Sequence, residues 1–267
     1  NGAQKRPITP FSAIFKIVYN GSMFNVPAAA DRLKRLGITE FRFLAETGST
    51  NDDALVWAEQ GAADGSVVVA DTQTRGRGRL DRRWVTAPGS ALAMSLILRP
   101  SPAEATQAGL FAGLGAVAVA EALEQGWNLK PQIKWPNDVL LGDQKVCGVL
   151  AEAAWSGSQL QTVVLGIGVN VAPSSVPSQE ALLYPATCIE AAAGRTVERQ
   201  DVLEQIVARL FFWRPALGSA EFLDAWNRRL AFRGEAVQIV MPGYNISGEV
   251  MEVDPAGELI EQGDAPH

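Results

Sequence analysis

The sequence predicts a protein of the α+β class, with an α/β domain as the alternative that the same pattern allows. From Phe41 onward, short apolar runs typical of strands alternate with helical segments, which indicates a domain built on one substantial sheet. The 267 residues, 47% of them hydrophobic, can form one core of about 200 residues plus a small appendage. We predict an N-terminal extension, a main domain and a small C-terminal domain, with bounds 1–40, 41–230 and 231–267.

The N-terminal extension contains the apolar run FSAIFKIV and the amphipathic stretch PAAADRLKRLGI, which is too little for a winged helix-turn-helix. In the main domain, QAGLFAGLGAVAVAEALEQG is too long and alanine-rich for a strand, so we predict a buried helix that ends at Gly126. Residues 199–230 carry a helical pattern that closes this domain. From Arg233, strand alternation with Pro-Gly and Pro-Ala-Gly turns predicts a small β-barrel, with little room for a closing strand.

The net charge of −6 argues against a protein that coats nucleic acid or an anionic membrane, so any attraction to phosphate has to be local. The two cysteines, Cys147 and Cys188, are far apart and flanked by apolar residues, as expected of reduced thiols in a cytosolic protein. No 18-residue apolar run is free of charge and glycine. We therefore predict a cytoplasmic protein without a membrane span.

The stretch TQTRGRGRLDRRW places five arginines and two glycines in thirteen positions. Gly76 and Gly78 are expected to adopt positive φ and let the backbone approach a ligand, while the guanidinium groups bind phosphate or carboxylate. Trp84 offers a flat face for adenine or another apolar ligand, unless it is ordinary core. A solvated loop and a single-strand nucleic-acid site are the alternatives, and the glycine spacing is not that of a Walker loop.

Two further polar groups interrupt the apolar pattern. In KWPNDVLLGDQKVCG, Asp138 is a candidate Mg²⁺ ligand and Lys145 a candidate partner for a carboxylate or phosphate. In TGSTN, the residues Ser49, Thr50 and Asn51 stand where a helical pattern begins, so they are either ligand contacts or helix N-cap residues.

Taken together, STN, TQTRGRGRLDRRW, KWPNDVLL with KVCGVLAE, and GIGVNV resemble the biotin protein ligases in order and spacing, strongly over residues 41–172. The resemblance implies a class II aminoacyl-tRNA synthetase-like catalytic domain with a central mixed sheet, followed by a small C-terminal SH3-like β-barrel. It also implies a two-step reaction. Biotin and Mg-ATP give biotinyl-5′-AMP and pyrophosphate, and the biotinyl group then passes to one lysine of a biotin carboxyl carrier domain.

The same resemblance assigns roles to individual residues. Arg79 and Lys145 match the catalytic cations beside the biotin carboxylate and the α-phosphate. The residues that match biotin contacts are Ser49, Thr50, Asn51, Gln73, Gly76, Arg77, Arg79, Lys145 and Gly148. The residues that match ATP contacts are Arg79, Arg82, Trp84, Asn137 and Asn170. Asp138 remains the candidate Mg²⁺ ligand. Adenylation by fixed cations requires no histidine base, in keeping with a chain whose one histidine is the terminal His267.

The chain departs from the family pattern at Leu80-Asp81, where many bacterial members have Arg-Gly, so we expect a less flexible loop with one positive charge fewer. The absence of a DNA-binding domain predicts a ligase without repressor activity and without a DNA partner, and a homodimer is left open. The base that deprotonates the acceptor lysine is not identified. A lipoate or octanoate protein ligase of the same fold is the alternative function, and a nucleic-acid-binding module is the alternative from another class.

Overall fold

The structure is a computed structural model that describes residues 24–38, 40–80, 82–85, 87–178, 184–241 and 244–262. The predicted run FSAIFKIV, Asp81 and His267 lie outside the described residues. The helices are α1 (Val26–Arg35), α2 (Thr50–Glu59), α3 (Pro102–Ala105), α4 (Phe111–Trp127), α5 (Ile189–Ala193), α6 (Arg199–Trp213) and α7 (Ala220–Asn227). The strands are β1 (Phe41–Thr47), β2 (Val67–Gln73), β3 (Ala91–Leu98), β4 (Pro131–Lys134), β5 (Asp138–Leu141), β6 (Gln144–Ser156), β7 (Gln159–Asn170), β8 (Ala236–Met241), β9 (Tyr244–Val253) and β10 (Leu259–Gln262).

The main sheet has seven strands in the order β1-β2-β3-β7-β6-β5-β4. The pair β1–β2 is parallel and the five other pairs are antiparallel, so the sheet is mixed. The predicted α+β architecture with one substantial mixed sheet is confirmed. The α/β alternative is wrong, because an α/β domain is built on a mostly parallel sheet.

Strand alternation divides this sheet into two different faces, since successive side chains point to opposite sides. One face carries apolar residues such as Met94, Val149 and Ile167, which join the main core with residues of α1, α4, α6 and α7. The opposite face packs against α2 through a smaller cluster that includes Trp57 and Val164. Beyond that cluster, the α2 side of the central strands carries small and polar residues, and this change opens a pocket there.

Helix α4 is the buried helix that the sequence predicts, but it does not end at Gly126. It continues to Trp127 and ends at Asn128, whose left-handed φ of 53° closes the last turn as glycine commonly does. The stretch Ala108–Trp127 is long and apolar enough to cross a membrane by length and composition. However, 72% of its apolar window is buried inside the protein, which is also what a core helix shows. Both cysteines are free thiols, as predicted, and both are buried.

The C-terminal strands form a separate three-stranded antiparallel sheet in the order β10-β9-β8. This sheet is attached to the main domain by two sets of hydrogen bonds. The Asn227 side chain bonds both backbone groups of Val253, and the indole Nε1 of Trp135 donates to the carbonyl of Gly257 at 2.9 Å. The second bond ties the β9–β10 turn to the KWPND segment.

Substitution of Trp135 by phenylalanine tests this attachment. We expect the free energy of unfolding to fall by about 1 kcal/mol, because the aromatic packing is kept while one partly buried hydrogen bond is lost. Urea unfolding followed by circular dichroism measures the change. Trp155→Phe is the matched control, since Trp155 is 53% exposed and should lose almost nothing. Equal losses in the two variants would contradict the proposed attachment.

Candidate functional site

The pocket on the α2 side of the sheet has a volume of about 450 Å³. It runs across the strand order from β2 to β4, which is five strand spacings or about 24 Å. Its lining residues are Ser49, Thr50, Asn51, Gln73, Arg77, Gly78, Arg79, Arg82, Arg83, Trp84, Val85, Met94, Lys134, Asn137, Asp138, Lys145, Gly148, Val149, Leu150, Gly166, Ile167, Gly168, Asn170, Pro177, Tyr184 and Ala186.

One end of the pocket is formed by the start of α2 and by β2, and the side chains that these two elements contribute to the lining are polar and uncharged. The side-chain oxygen Oε1 of Gln73 accepts hydrogen bonds from the backbone N–H and the hydroxyl of Thr50, at 2.8 and 3.1 Å. Ser95 supports this arrangement by donating to the Thr50 hydroxyl. Ser49 is the N-cap residue, as the sequence allowed, but its side chain makes no capping hydrogen bond. Gln73 satisfies the first helical N–H instead.

The buried side chain of Asn51 lies against strand β7 at Gly166. A β-carbon at position 166 would stand 2.2 Å from the Asn51 carbonyl oxygen, so only glycine fits there. The Asn51 amide donates to Glu152 at 2.7 Å, and Glu152 also binds the Arg77 guanidinium at 2.6 Å. Asp52 is a second carboxylate partner of Arg77, at 2.8 Å. Arg77 is therefore fixed and neutralised by acidic residues of β6 and α2.

The arginine-glycine stretch forms a short antiparallel loop that is closed by backbone hydrogen bonds, including Trp84 N–H to the Gly76 carbonyl at 2.9 Å. The expected positive φ at Gly76 and Gly78 is wrong, since neither has one. Gly76 is needed for a different reason, because a β-carbon there would stand 2.4 Å from the Trp84 carbonyl oxygen. The left-handed residue of the loop is Leu80, with φ 54°, at the point where the family pattern differs.

Trp84 lies flat against Gly168 of β7 and lines the pocket. A β-carbon on Gly168 would come within 2.6 Å of the indole ring. The indole Nε1 is buried and has no hydrogen-bond acceptor within the part of the chain that the structure describes. Trp84 is only half-buried, so the ordinary-core interpretation does not describe it, and its ring is available to a ligand in the pocket.

Substitution of Gly168 by alanine is expected to displace the Trp84 ring, because strand backbone and indole cannot both stay in place. We expect a destabilisation of about 1 to 3 kcal/mol and a shift in the tryptophan emission maximum. Denaturant unfolding and fluorescence measure the two effects. Gly157→Ala is the control for replacing a glycine without a steric clash. Gly157 lies at a turn with a positive φ of 58°, and an added β-carbon there would have no atom within 4 Å. An unshifted emission spectrum in Gly168→Ala would contradict the contact.

The other end of the pocket is cationic. Lys145 of β6 reaches Asp138 of β5, with Nζ 2.6 Å from Oδ1, and both groups approach the backbone at Gly148. Arg79 donates to the side-chain oxygen of Asn137 at 3.2 Å, and Asn137 is itself held by a bond to the Val149 carbonyl at 2.6 Å. Asn137 therefore holds the Arg79 guanidinium, and Arg79, Asn137 and Lys145 all line the pocket.

The charges of the pocket lining are strongly unbalanced. Among the described residues, six cationic side chains line it against one carboxylate, that of Asp138, although the whole chain is acidic; Arg77 is paired with Asp52 and Glu152 outside the lining, and Lys145 is paired with Asp138. The cations are Arg77, Arg79, Arg82, Arg83, Lys134 and Lys145. Within the described residues, no group of three or more His, Cys, Asp or Glu side chains that could hold a metal ion occurs. A pocket with this balance attracts an anion.

The structure brings together nearly all of the residues that the sequence selected. Thirteen of the fourteen line the pocket. The other one, Gly76, is outside the lining and packs closely against the backbone of Trp84. Asn170 lines the pocket while its amide donates to the Thr187 carbonyl. Sequence reasoning assigned no role to Ser95, Glu152, Lys134, Tyr184 or the two β7 glycines. The glycines did carry a signal, since glycine inside an apolar strand often marks a close approach.

Comparison with known proteins gives one consistent family. Residues 44–170 match the model of the biotin/lipoate A/B protein ligase family. The biotin-[acetyl-CoA-carboxylase] ligase of Paracoccus denitrificans is 36% identical over 228 residues, which cover 83% of this chain and 94% of that protein. The bifunctional ligase/repressor BirA of Bacillus spizizenii is 38% identical over 160 residues, 60% of this chain. That match spans only about half of the relative, 49% of its length.

Among solved structures, the biotin protein ligase of Aquifex aeolicus in complex with biotin and ATP superposes with a TM-score of 0.73. The two proteins are 27% identical, and the match covers 84% of this chain and 92% of the Aquifex chain. The similarity therefore extends from the pocket to most of the fold.

Proposed function

The chain belongs to the biotin/lipoate A/B protein ligase family, and we propose that it is an ATP-dependent biotin-[acetyl-CoA-carboxylase] ligase. It would form biotinyl-5′-AMP and pyrophosphate from biotin and ATP, and transfer the biotinyl group to a lysine of a biotin carboxyl carrier domain. The observation that carries this proposal is the polarity of the pocket: one end has the hydrogen-bonding groups of Thr50 and Gln73 beside an Arg77 already paired with carboxylates, and the other end has the cations Lys145 and Arg79.

Biotin matches this polarity, since its ureido ring is neutral and its carboxylate is negative. The ring would lie between Thr50, Gln73 and Arg77, whose side chains are each held by a hydrogen bond or an ion pair. The valeryl chain would pass over Gly166 and Leu150 toward the centre of the sheet. The carboxylate would then meet the α-phosphate of ATP near Lys145 and Arg79, and the Trp84 ring would stack on adenine.

Adenylation needs two anions to be brought together and the charge that develops on the α-phosphate to be stabilised. Lys145 and Arg79 would supply this as fixed donors, because Asp138 and Asn137 already hold them in place. Mg²⁺ would arrive with the ATP phosphates, with Asp138 as a protein ligand, since Mg²⁺ commonly uses one or two carboxylates plus substrate oxygens. The ion supplies further charge neutralisation when bound.

In the transfer step, the acceptor lysine must lose its proton before it attacks the acyl carbon. Among the described residues that line the pocket, Asp138 is the carboxylate, so it is our candidate to receive that proton once Lys145 binds the adenylate. We also propose the finer features that the resemblance implies. These are a class II aminoacyl-tRNA synthetase-like catalytic domain at 41–230, an SH3-like domain at 231–267, a cytoplasmic location and no DNA partner, with a homodimer left open.

Incubation with ATP, Mg²⁺, labelled biotin and a carrier domain tests the function. We expect biotin-dependent pyrophosphate release followed by labelling of one carrier lysine. Lipoate and octanoate, offered in parallel with their own carrier domain, test the alternative within the family. Label on the lipoyl carrier and none on the biotin carrier would overturn the assignment.

A further inference from the structure

Lys134 lines the pocket together with Lys145, Asp138 and Arg79 but has no role in the reaction described above. It is the last residue of β4, the edge strand of the sheet, and its register partner is Asp138 of β5. The pocket lining therefore extends one strand past the Lys145–Asp138 pair. The Lys134 ammonium lies 4.0 Å from the ring centroid of Tyr184, which belongs to the segment that precedes α5.

The charge of Lys134 is not balanced by a carboxylate at ion-pair distance within the described residues, in contrast to Lys145. Burial lowers the pKa of Lys134, and the neighbouring cations Lys145 and Arg82 lower it further, while Asp138 opposes them. A half-buried ammonium among other cations is unfavourable in the free protein. It becomes favourable when an anion binds between these groups.

A purely structural role explains this placement poorly. A lysine that only covers apolar surface extends its ammonium into water. Lys134 instead holds its ammonium over an aromatic face inside the pocket, and a cation–π contact fixes the direction of a charged group without neutralising it. The contact with Tyr184 thus holds the Lys134 ammonium at the pocket lining without a carboxylate partner.

We propose that Lys134, held by Tyr184, is the binding group for the β- and γ-phosphates of ATP and for the pyrophosphate that leaves. The inference rests on the proposed function, because that function sets which end of ATP faces Lys134. When a biotin carboxylate oxygen bonds to the α-phosphorus, the bond from that phosphorus to the bridging oxygen breaks. Pyrophosphate departs with the electron pair, and no proton or electron has to be supplied. Lys134 and Arg82 stabilise the charge that accumulates on this leaving group.

Lys134→Gln tests the proposal, with Lys134→Arg to restore the charge. We expect the KM for ATP and the KM for pyrophosphate, both measured by biotin-dependent pyrophosphate exchange, to rise about tenfold in Lys134→Gln. The KM for biotin should stay within about twofold, and transfer from added biotinyl-5′-AMP to the carrier should be unchanged, because no pyrophosphate takes part in that step. Lys134→Arg should recover most of the loss.

Two controls separate this role from a structural one. Lys130→Gln removes the same charge from an exposed position four residues earlier and should leave every constant unchanged. Tyr184→Leu removes the ring but not the charge, and should raise the pyrophosphate KM less than Lys134→Gln does. Equal increases in the KM values for biotin and ATP, or a loss of transfer from added biotinyl-5′-AMP, would overturn the proposal.

Calorimetric titration with pyrophosphate and Mg²⁺ tests the Lys134 subsite independently of the proposed ligase activity, since binding is measured without turnover. Binding to the wild-type protein that weakens about tenfold in Lys134→Gln supports the subsite even if no biotin-dependent exchange is found. Equal affinities of the two proteins for pyrophosphate overturn the subsite even if the wild-type protein is a fully active ligase.

Discussion

Replacement of Lys145 by alanine is expected to slow formation of biotinyl-5′-AMP by about 100- to 1,000-fold, the usual cost of losing one donor that stabilises transition-state charge. The ammonium of Lys145 is held by Asp138 at 2.6 Å in the pocket lining, and in the proposed function it binds the two substrate anions where they meet. Without it, Asp138 keeps its negative charge beside them. A rapid-quench measurement of the pyrophosphate burst gives the rate of this step directly.

Because Lys145→Ala also leaves Asp138 unpaired, the double variant with Asp138→Asn separates loss of the cation from exposure of the anion. If repulsion by Asp138 contributes, the double variant will be faster than the single one. Lys34→Ala is the control, since Lys34 is an exposed lysine on α1. A burst of normal rate in Lys145→Ala, with saturating substrates, would rule out the assigned role.

The fold was predictable to the extent that it depends on local pattern. Strand alternation and the alanine-rich segment are encoded within a few neighbouring residues, so the sheet and α4 could be expected. The end of α4 was missed, because asparagine can take the left-handed conformation that a glycine-based prediction assigns to Gly126. The loop glycines were misjudged for a related reason. Gly76 is required by its close contact with Trp84, which depends on how the loop folds back on itself, whereas a β-carbon on Gly78 would meet Arg82 only at ordinary distances.

The site was predictable as a set of residues but not as a set of contacts. Motifs place Arg77 and Lys145 in the pocket, yet their partners come from distant positions. Glu152 is 75 residues from Arg77, and Tyr184 faces Lys134 from a segment that joins β7 to α5. Such pairs depend on strand order and register, which a single sequence does not specify. Resemblance supplied the proposed function, whereas the structure supplied the contacts that hold Arg77, Arg79 and Lys145.

Replacement of Arg79 by alanine is expected to increase the dissociation rate of biotinyl-5′-AMP by about 10- to 100-fold, because one charge-assisted contact to the acyl phosphate is lost. The end of the pocket at Thr50 and Gln73 does not depend on Arg79, so biotin itself should still bind. The released adenylate should then acylate lysines of unrelated proteins. Rapid filtration measures its retention, and labelling of added serum albumin measures its escape.

Two variants show whether the effect depends on the placement of the guanidinium or merely on loop charge. Arg75→Ala removes a positive charge from the same loop, but Arg75 lies outside the pocket lining and contacts Gly48, so retention should be normal. Asn137→Ala leaves Arg79 in place without its 3.2 Å partner, and should give a smaller loss of retention in the same direction. Equal loss from Arg75→Ala and Arg79→Ala would mean that the adenylate is held by the summed charge of the loop. A graded series, with Arg79→Ala above Asn137→Ala and Arg75→Ala unchanged, would mean that it is held by one oriented side chain.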